Sequence, residues 1–162
     1  MISIIIIVLF MVGFDQITKY FAIEFLKNAN AITIIPNVFE LTYVENRGAA
    51  FGIMQGRVTF FTIVTILSIL FIIYFYRTIP KDKKYNLIRM ALILILAGGL
   101  GNLIDRIVFG YVVDFLHFKL IRFPVFNLAD CYVTIGSIFL MVLVLFVYKD
   151  DEVLNPKKDE KQ

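Results

Sequence analysis

Apolar residues fill four long stretches of the chain, and the polar positions gather between them. The stretches run from about Ile2 to Phe25, Val58 to Tyr76, Leu87 to Leu103 and Leu128 to Tyr148. A helix that crosses the hydrocarbon core needs about 20 mostly apolar residues. One such helix can hide inside a soluble protein. Four within 162 residues predict a single four-helix transmembrane domain over residues 1–150, followed by a charged tail over 151–162. The first stretch exceeds a signal-peptide core and lacks a basic start and a small-residue cleavage site, so it reads as a retained span.

The segments between spans carry a different period. Phe39, Leu41 and Tyr43 alternate with Glu40, Thr42 and Val44, a period-two pattern that predicts a strand. Pro36-Asn37 punctuates its start and Asn46-Arg47-Gly48 its end. Tyr111 to Lys119, between Gly110 and Pro124, is rich in β-branched and aromatic residues and also reads as extended. Backbone near lipid must satisfy its own hydrogen bonds, which a small sheet resting on the bilayer achieves. The expected class is an all-α membrane protein: four transmembrane helices with a small extracytoplasmic β element.

Composition agrees: 60% of residues are hydrophobic and 18% charged, against about half and a quarter in soluble domains. Basic residues set the expected orientation. Arg77, Lys81, Lys83, Lys84 and Arg89 follow the second span, and Lys149, Lys157, Lys158 and Lys161 sit in the tail. Fewer lie in the other two connections. Both termini are therefore expected in the cytoplasm, with residues 27–57 and 106–127 outside. The net charge of +3 is modest, and its lysines suit anionic lipid headgroups. No basic stripe interleaved with aromatics points to nucleic acid. The single cysteine, Cys131, excludes an internal disulfide, and no Cys/His cluster has metal-ligand spacing. No metal or cofactor is expected.

Ionisable residues within a span cost about 2.5–3.5 kcal/mol each on insertion scales and need a reason. Asp15 and Lys19 are four apart on one helical face and can pair. Gly98-Gly99-Leu100-Gly101-Asn102-Leu103-Ile104-Asp105-Arg106 closes the third span. Its glycines suit close helix approach in lipid. Asn102 and Arg106 share a face, with Asp105 close to it, and could form a structural network or border a cleft. Asp114 stands among valines and aromatics in Tyr111-Val112-Val113-Asp114-Phe115. Asp130 stands in Phe126-Asn127-Leu128-Ala129-Asp130, where the reading divides: Asn127 and Asp130 have the spacing of a capping box, and Asp130 also suits the positive end of a helix dipole.

Together, Asp114 and Asp130 flank the entry to the fourth span. Two adjacent carboxylates share one proton and titrate as a unit. The ionised member can then deprotonate water while the protonated member polarises a carbonyl, which is aspartic-peptidase chemistry. A Cys131–His117 pair is a weaker rival, since a cysteine at the apolar start of a span ordinarily packs.

Five blocks, in order, then resemble the lipoprotein signal peptidase family, also called signal peptidase II or prolipoprotein signal peptidase. They are Asp15-Gln16-Ile17-Thr18-Lys19, Asn46-Arg47-Gly48-Ala49-Ala50-Phe51-Gly52, Gly101-Asn102-Leu103-Ile104-Asp105-Arg106, Val113-Asp114-Phe115 and Phe126-Asn127-Leu128-Ala129-Asp130. The resemblance implies an aspartic endopeptidase of the bacterial cytoplasmic membrane, with its site near the outer face. It implies removal of signal peptides from prolipoproteins, by cleavage before a cysteine carrying a diacylglyceryl group. It makes Asp114 and Asp130 the catalytic pair. Asn46, Gly48, Asn102, Arg106 and Asn127 would bind substrate or orient the site, and Asp15, Lys19 and Asp105 would support it. The loop from Asn46 to Gly52 would close over substrate. Membrane lipid and globomycin-type cyclic peptides are the other implied partners. A small transporter or proton-relay subunit would also keep intramembrane charges, but should place them near the midplane of several spans. A metal-dependent headgroup transferase would need carboxylates clustered at helical spacing, which Asp105, Asp114 and Asp130 lack.

Overall fold

The computed structural model describes residues 2–48 and 56–148. Residues 49–52 of the expected closing loop and the 151–162 tail lie outside the described residues. Among the described residues the long helices are α1 (Ile2–Leu26), α2 (Val58–Thr78), α3 (Asn86–Val108) and α4 (Leu128–Val142), the last continuing as a π-helical turn over Leu143–Val147. Four helical segments are long and apolar enough to cross a bilayer: Ile4–Leu26, Val58–Thr78, Lys83–Val108 and Leu128–Val147. Their large apolar side chains point outward, among them Phe10, Phe71 and Phe146. Such a surface is stable in lipid and untenable in water.

α3 is the central helix and packs against the other three. Its inner face is small and then polar: Ala91, Ala97, Gly98, Gly101, Asn102 and Asp105 are all buried. The glycines let α4 approach. A β-carbon at Gly98 would come within 2.3 Å of the Ala129 carbonyl oxygen, and one at Gly136 within 2.9 Å of the Ala91 carbonyl oxygen. The third helix runs five residues past the expected end at Leu103. Asn102 and Asp105 turn inward to buried partners, so the polar residues end the apolar run without ending the helix.

Three strands form one antiparallel sheet in the order β1 (Ile32–Ile35), β2 (Phe39–Asn46), β3 (Val112–Phe118). The two expected strands are present. β1 was not expected: Ile32–Ile35 is a short apolar run without alternation, and all four residues are exposed. Pro36 and Asn37 make the turn into β2, with Val38 N–H donating to the Ile35 carbonyl and Asn37 at φ 59°. Asparagine tolerates that left-handed conformation. β2 pairs with β3 from Phe39↔Phe118 to Asn46↔Val112, with an irregularity between Leu41 and Val44. Phe126 bridges to Leu116 beyond β3. Ala22 and Leu26 of α1 bury Val113 and Phe115, with Leu41, Tyr43 and Tyr111 packed around them. The sheet is thereby seated on the end of α1, next to the last turn of α3 and the first turn of α4.

Candidate active site

A buried lysine sits at the centre of the polar network. Lys19 Nζ lies 2.9 Å from Asp15 Oδ2, one turn back on α1, and 3.0 Å from Asp105 Oδ2 on α3. It also donates to Asn102 Oδ1 at 2.9 Å. An ammonium has three N–H groups and no acceptor, so these three oxygens use it completely. Lys19 is 2% exposed, and Asp15 and Asp105 are fully buried. The carboxylates extend the network to backbone. Asp15 Oδ1 accepts Ala129 N–H at 2.9 Å, at the start of α4. Asp105 Oδ2 accepts Val113 N–H at 3.0 Å, in β3. Gln16 Nε2 donates to Asp105 Oδ1 and to the Gly101 carbonyl, at 3.0 and 3.1 Å. Gln16 was not among the expected site residues. Its place beside Asp15 in the first motif block was the available signal.

The first turn of α4 is closed by a capping box. Asn127 Oδ1 accepts Asp130 N–H at 3.0 Å, and Asp130 Oδ2 accepts Asn127 N–H at 3.1 Å. The capping role of Asp130 therefore exists. It leaves Oδ1 free to face α3, where it accepts Asn102 Nδ2 at 2.8 Å. Asp114 comes from the buried part of β3. Its Oδ1 accepts Asn127 Nδ2 at 2.6 Å and its Oδ2 accepts Asn46 Nδ2 at 2.8 Å. Asn46 is held in that sense by Gly48 N–H, which donates to its Oδ1 at 3.0 Å. Asn127 Nδ2 also reaches Asn102 Oδ1 at 3.1 Å.

Asp114 is 1% exposed. Burial pushes its carboxyl up, and the charge of Asp130 pushes it further. The Asn46 and Asn127 amides pull the other way, and the balance lies at about 7. A carboxyl there holds its proton at near-neutral pH, unlike an ordinary aspartate.

Asp114 and Asp130 open onto one cavity of about 560 Å³. Asn46, Gly48, Asn102 and Arg106 share its polar wall, and Ile121, Phe123, Phe126, Val133 and Ile135 form much of the apolar one. Arg106 lies one turn beyond Asn102 and donates to its carbonyl at 3.3 Å. Asn127, expected beside these residues, is fully buried behind the two carboxylates and is not on the cavity wall. Asp105 points away from the cavity, towards Lys19 and Val113. Cys131 lines the cavity, whereas His117 Nδ1 meets Glu40 Oε1 at 3.0 Å on the sheet, beside Lys119. The structure does not join that pair. A carboxyl that holds its proton beside a second aspartate, in a cavity with polar and apolar walls, can activate water against a carbonyl.

Known proteins resemble the chain over most of its length. The family model described as signal peptidase (SPase) II matches residues 6–146. The lipoprotein signal peptidase of Clostridioides difficile strain 630 is 45% identical over 142 residues, 88% of this chain and 94% of that protein. That of Caldanaerobacter subterraneus subsp. tengcongensis is 46% identical over 143 residues, 88% and 95% respectively. A bacterial membrane enzyme solved by the in meso method at 2.3 Å resolution superposes with a TM-score of 0.78. It has 38% identity over 99% of this chain and 94% of its own.

Proposed function

The chain belongs to the signal peptidase II family, and from that premise we propose that it is an intramembrane aspartic endopeptidase of bacterial prolipoproteins. It removes their signal peptides by cutting on the amino side of a diacylglyceryl-modified cysteine. Asp114 and Asp130 are its catalytic pair. The observation that carries this reading is that both carboxylates open onto one cavity while Asn127 binds each of them from behind.

With one proton on the pair, the protonated carboxyl donates to the scissile carbonyl oxygen. The ionised one takes a proton from water, whose oxygen bonds to the carbonyl carbon. One carboxyl of the pair then protonates the leaving nitrogen as the C–N bond breaks, the other takes a proton back from the tetrahedral diol as its C=O bond re-forms, and one proton is again left on the pair. Asp114, held near 7, is suited to carry that proton at the start. Arg106 and Asn102 border the peptide, and the apolar wall suits the substrate's lipid-bearing side. We place both termini in the cytoplasm and the cavity near the outer face of the cytoplasmic membrane. A lipid-anchored scissile bond is confined to that level.

Globomycin-type cyclic peptides should compete for the same cavity. A transporter or proton-relay role is disfavoured because the buried charges gather in or beside one cavity towards one end of the helices and are not spread along several spans. The test is incubation of the purified protein, in detergent, with a purified diacylglyceryl prolipoprotein. Release of the signal peptide in the presence of a chelator is expected. No release, or release abolished by the chelator, would overturn the reading.

A further inference from the structure

Lys19 is buried and takes no part in the chemistry just described, yet it is only two hydrogen bonds from Asp130, through Asn102. We propose that Lys19 is a positioning residue for the catalytic pair: its ammonium locks the Asn102 amide so that Nδ2 faces Asp130. This rests on the reading of Asp114 and Asp130 as the dyad.

The argument is one of donors and acceptors. Asn102 Oδ1 receives two donors, Lys19 Nζ at 2.9 Å and Asn127 Nδ2 at 3.1 Å. Asn102 Nδ2 donates to Asp130 Oδ1 at 2.8 Å. Turning the amide over would put its NH2 against an ammonium and a second NH2, and its oxygen against a carboxylate. Three attractions would become three repulsions at once. Lys19 can impose this because it never accepts a hydrogen bond and cannot swing away. Asp15 and Asp105 occupy its other two N–H groups from α1 and α3.

The three asparagines of the site are all set by donors that cannot reverse. Gly48 N–H sets Asn46, Asp130 N–H sets Asn127, and Lys19 sets Asn102. In consequence each carboxylate receives a donor on both oxygens. The pair is thereby held in one rotamer with its remaining lone pairs towards the cavity. Lys19 does this for α3 as backbone N–H groups do for β2 and α4.

Charge adds a second, separable effect. The charged groups that act on the dyad are Lys19 from α1 and Arg106 from α3, with Cys131 next to Asp130 on α4, while Asp15 and Asp105 lie behind, paired to Lys19. Between Arg57 and Arg77, α2 has no carboxylate, lysine or arginine. Lys19 favours the ionised form of Asp114. Removing that charge must therefore raise the pH at which Asp114 ionises, which simple loosening of the fold does not do.

The experiment uses an Asp105→Asn chain as reference, so that removing the lysine leaves one buried carboxylate and not two. Lys19→Met, Asn102→Ala and both together are made in that chain, and cleavage of a diacylglyceryl prolipoprotein is followed against pH. Lys19→Met should lower kcat by about a hundredfold, the loss that a misplacement of about 1 Å can cause, with KM little changed. Once Asn102→Ala is present, Lys19→Met should add less than about twofold, because the two act as a unit. The alkaline limb of the Lys19→Met profile should move to higher pH. Full multiplication of the two effects, or an unmoved limb, would overturn the proposal. Retained turnover in Asp114→Asn or Asp130→Asn would instead overturn the dyad reading, so the two failures are distinguishable.

Discussion

Asn127 Nδ2 lies 2.6 Å from Asp114 Oδ1, and this side-chain contact joins the cap of α4 to β3. The same residue caps α4 through its side-chain oxygen. Capping and site support can be separated by substitution. Asn127→Ser keeps a capping oxygen but has no amide to reach Asp114 and Asn102. The cap itself should lose little, since serine is as good a cap as asparagine; the buried oxygens left without a donor should cost about 1–3 kcal/mol, and turnover should fall at least about tenfold. Thermal unfolding and cleavage rates on one preparation check this. Equal retention of both would leave Asn127 a cap and nothing more.

The proton of Asp114 sets a second expectation. Its carboxyl is raised to about 7, so it is neutral below that pH and ionised above it. A dyad needs one proton, and two adjacent anions are costly. Turnover should therefore decline as pH rises through about 7. A pH–rate profile from about 5 to about 9 measures this limb directly. Constant turnover across that range would remove Asp114 as the proton carrier.

Gly101 and Gly99 make a matched pair of tests. A β-carbon at Gly101 would fall 2.5 Å from Asp15 Oδ2 and 3.2 Å from Ala129 Cβ, whereas one at Gly99 meets only Ile69 Cγ1 and Cδ1, at 3.5 and 3.8 Å. Gly101→Ala must push Asp15 off Lys19 and off the Ala129 N–H. It should cost about 1–3 kcal/mol, as overpacking does, and depress cleavage. Gly99→Ala makes ordinary contacts and should leave both near the parent values. The reverse ranking in thermal unfolding would contradict the packing described for α3.

How far all this can be read from sequence depends on the distance between partners along the chain. The Asp15–Lys19 pair is local, and helical spacing alone predicts it. The Asn127–Asp130 box is equally local. The third and fourth acts of those residues are not. Lys19 meets Asn102 and Asp105 more than 80 positions away, and Asn102 meets Asp130 only because Gly98 and Gly136 let α3 and α4 approach closely. Nothing in composition or period reveals those meetings. The capping and catalytic readings of Asp130 looked like rivals for one side chain, but a carboxylate has two oxygens and α4 uses only one for its cap. β1 escaped notice because its isoleucines face outward on both sides and show no period. The extension of α3 to Val108 escaped notice because Asn102 and Asp105 are polar by composition and buried in fact.

Orientation yields a prediction independent of the chemistry. The basic loop around Arg77 to Arg89 lies at the end of the helices opposite the cavity, where Tyr148 donates to the Lys84 carbonyl and stacks on Tyr85. A reporter fused after Lys161 should be reached only from the cytoplasmic side. A reporter accessible from outside would put the cavity on the wrong face for an exported substrate.

The sharpest prediction concerns Asp130, because it must separate two roles held by one carboxylate. Asp130→Asn keeps a carbonyl oxygen that can accept the Asn127 N–H, so the cap survives and α4 should lose about 1 kcal/mol or less on that account. Its NH2 then faces the Asn102 amide, where it cannot accept, and it can neither take a proton from water nor share one with Asp114. Cleavage should therefore vanish while the protein remains folded in the membrane. Asp114→Asn should behave in the same way, since its carboxyl is the other half of the pair. The double variant should be scarcely worse than either single one, because groups that act as a unit lose their function together and only once. If the two effects multiplied, or if Asp130→Asn kept substantial turnover with deamidation excluded, Asp130 would be a helix cap that happens to line a cavity.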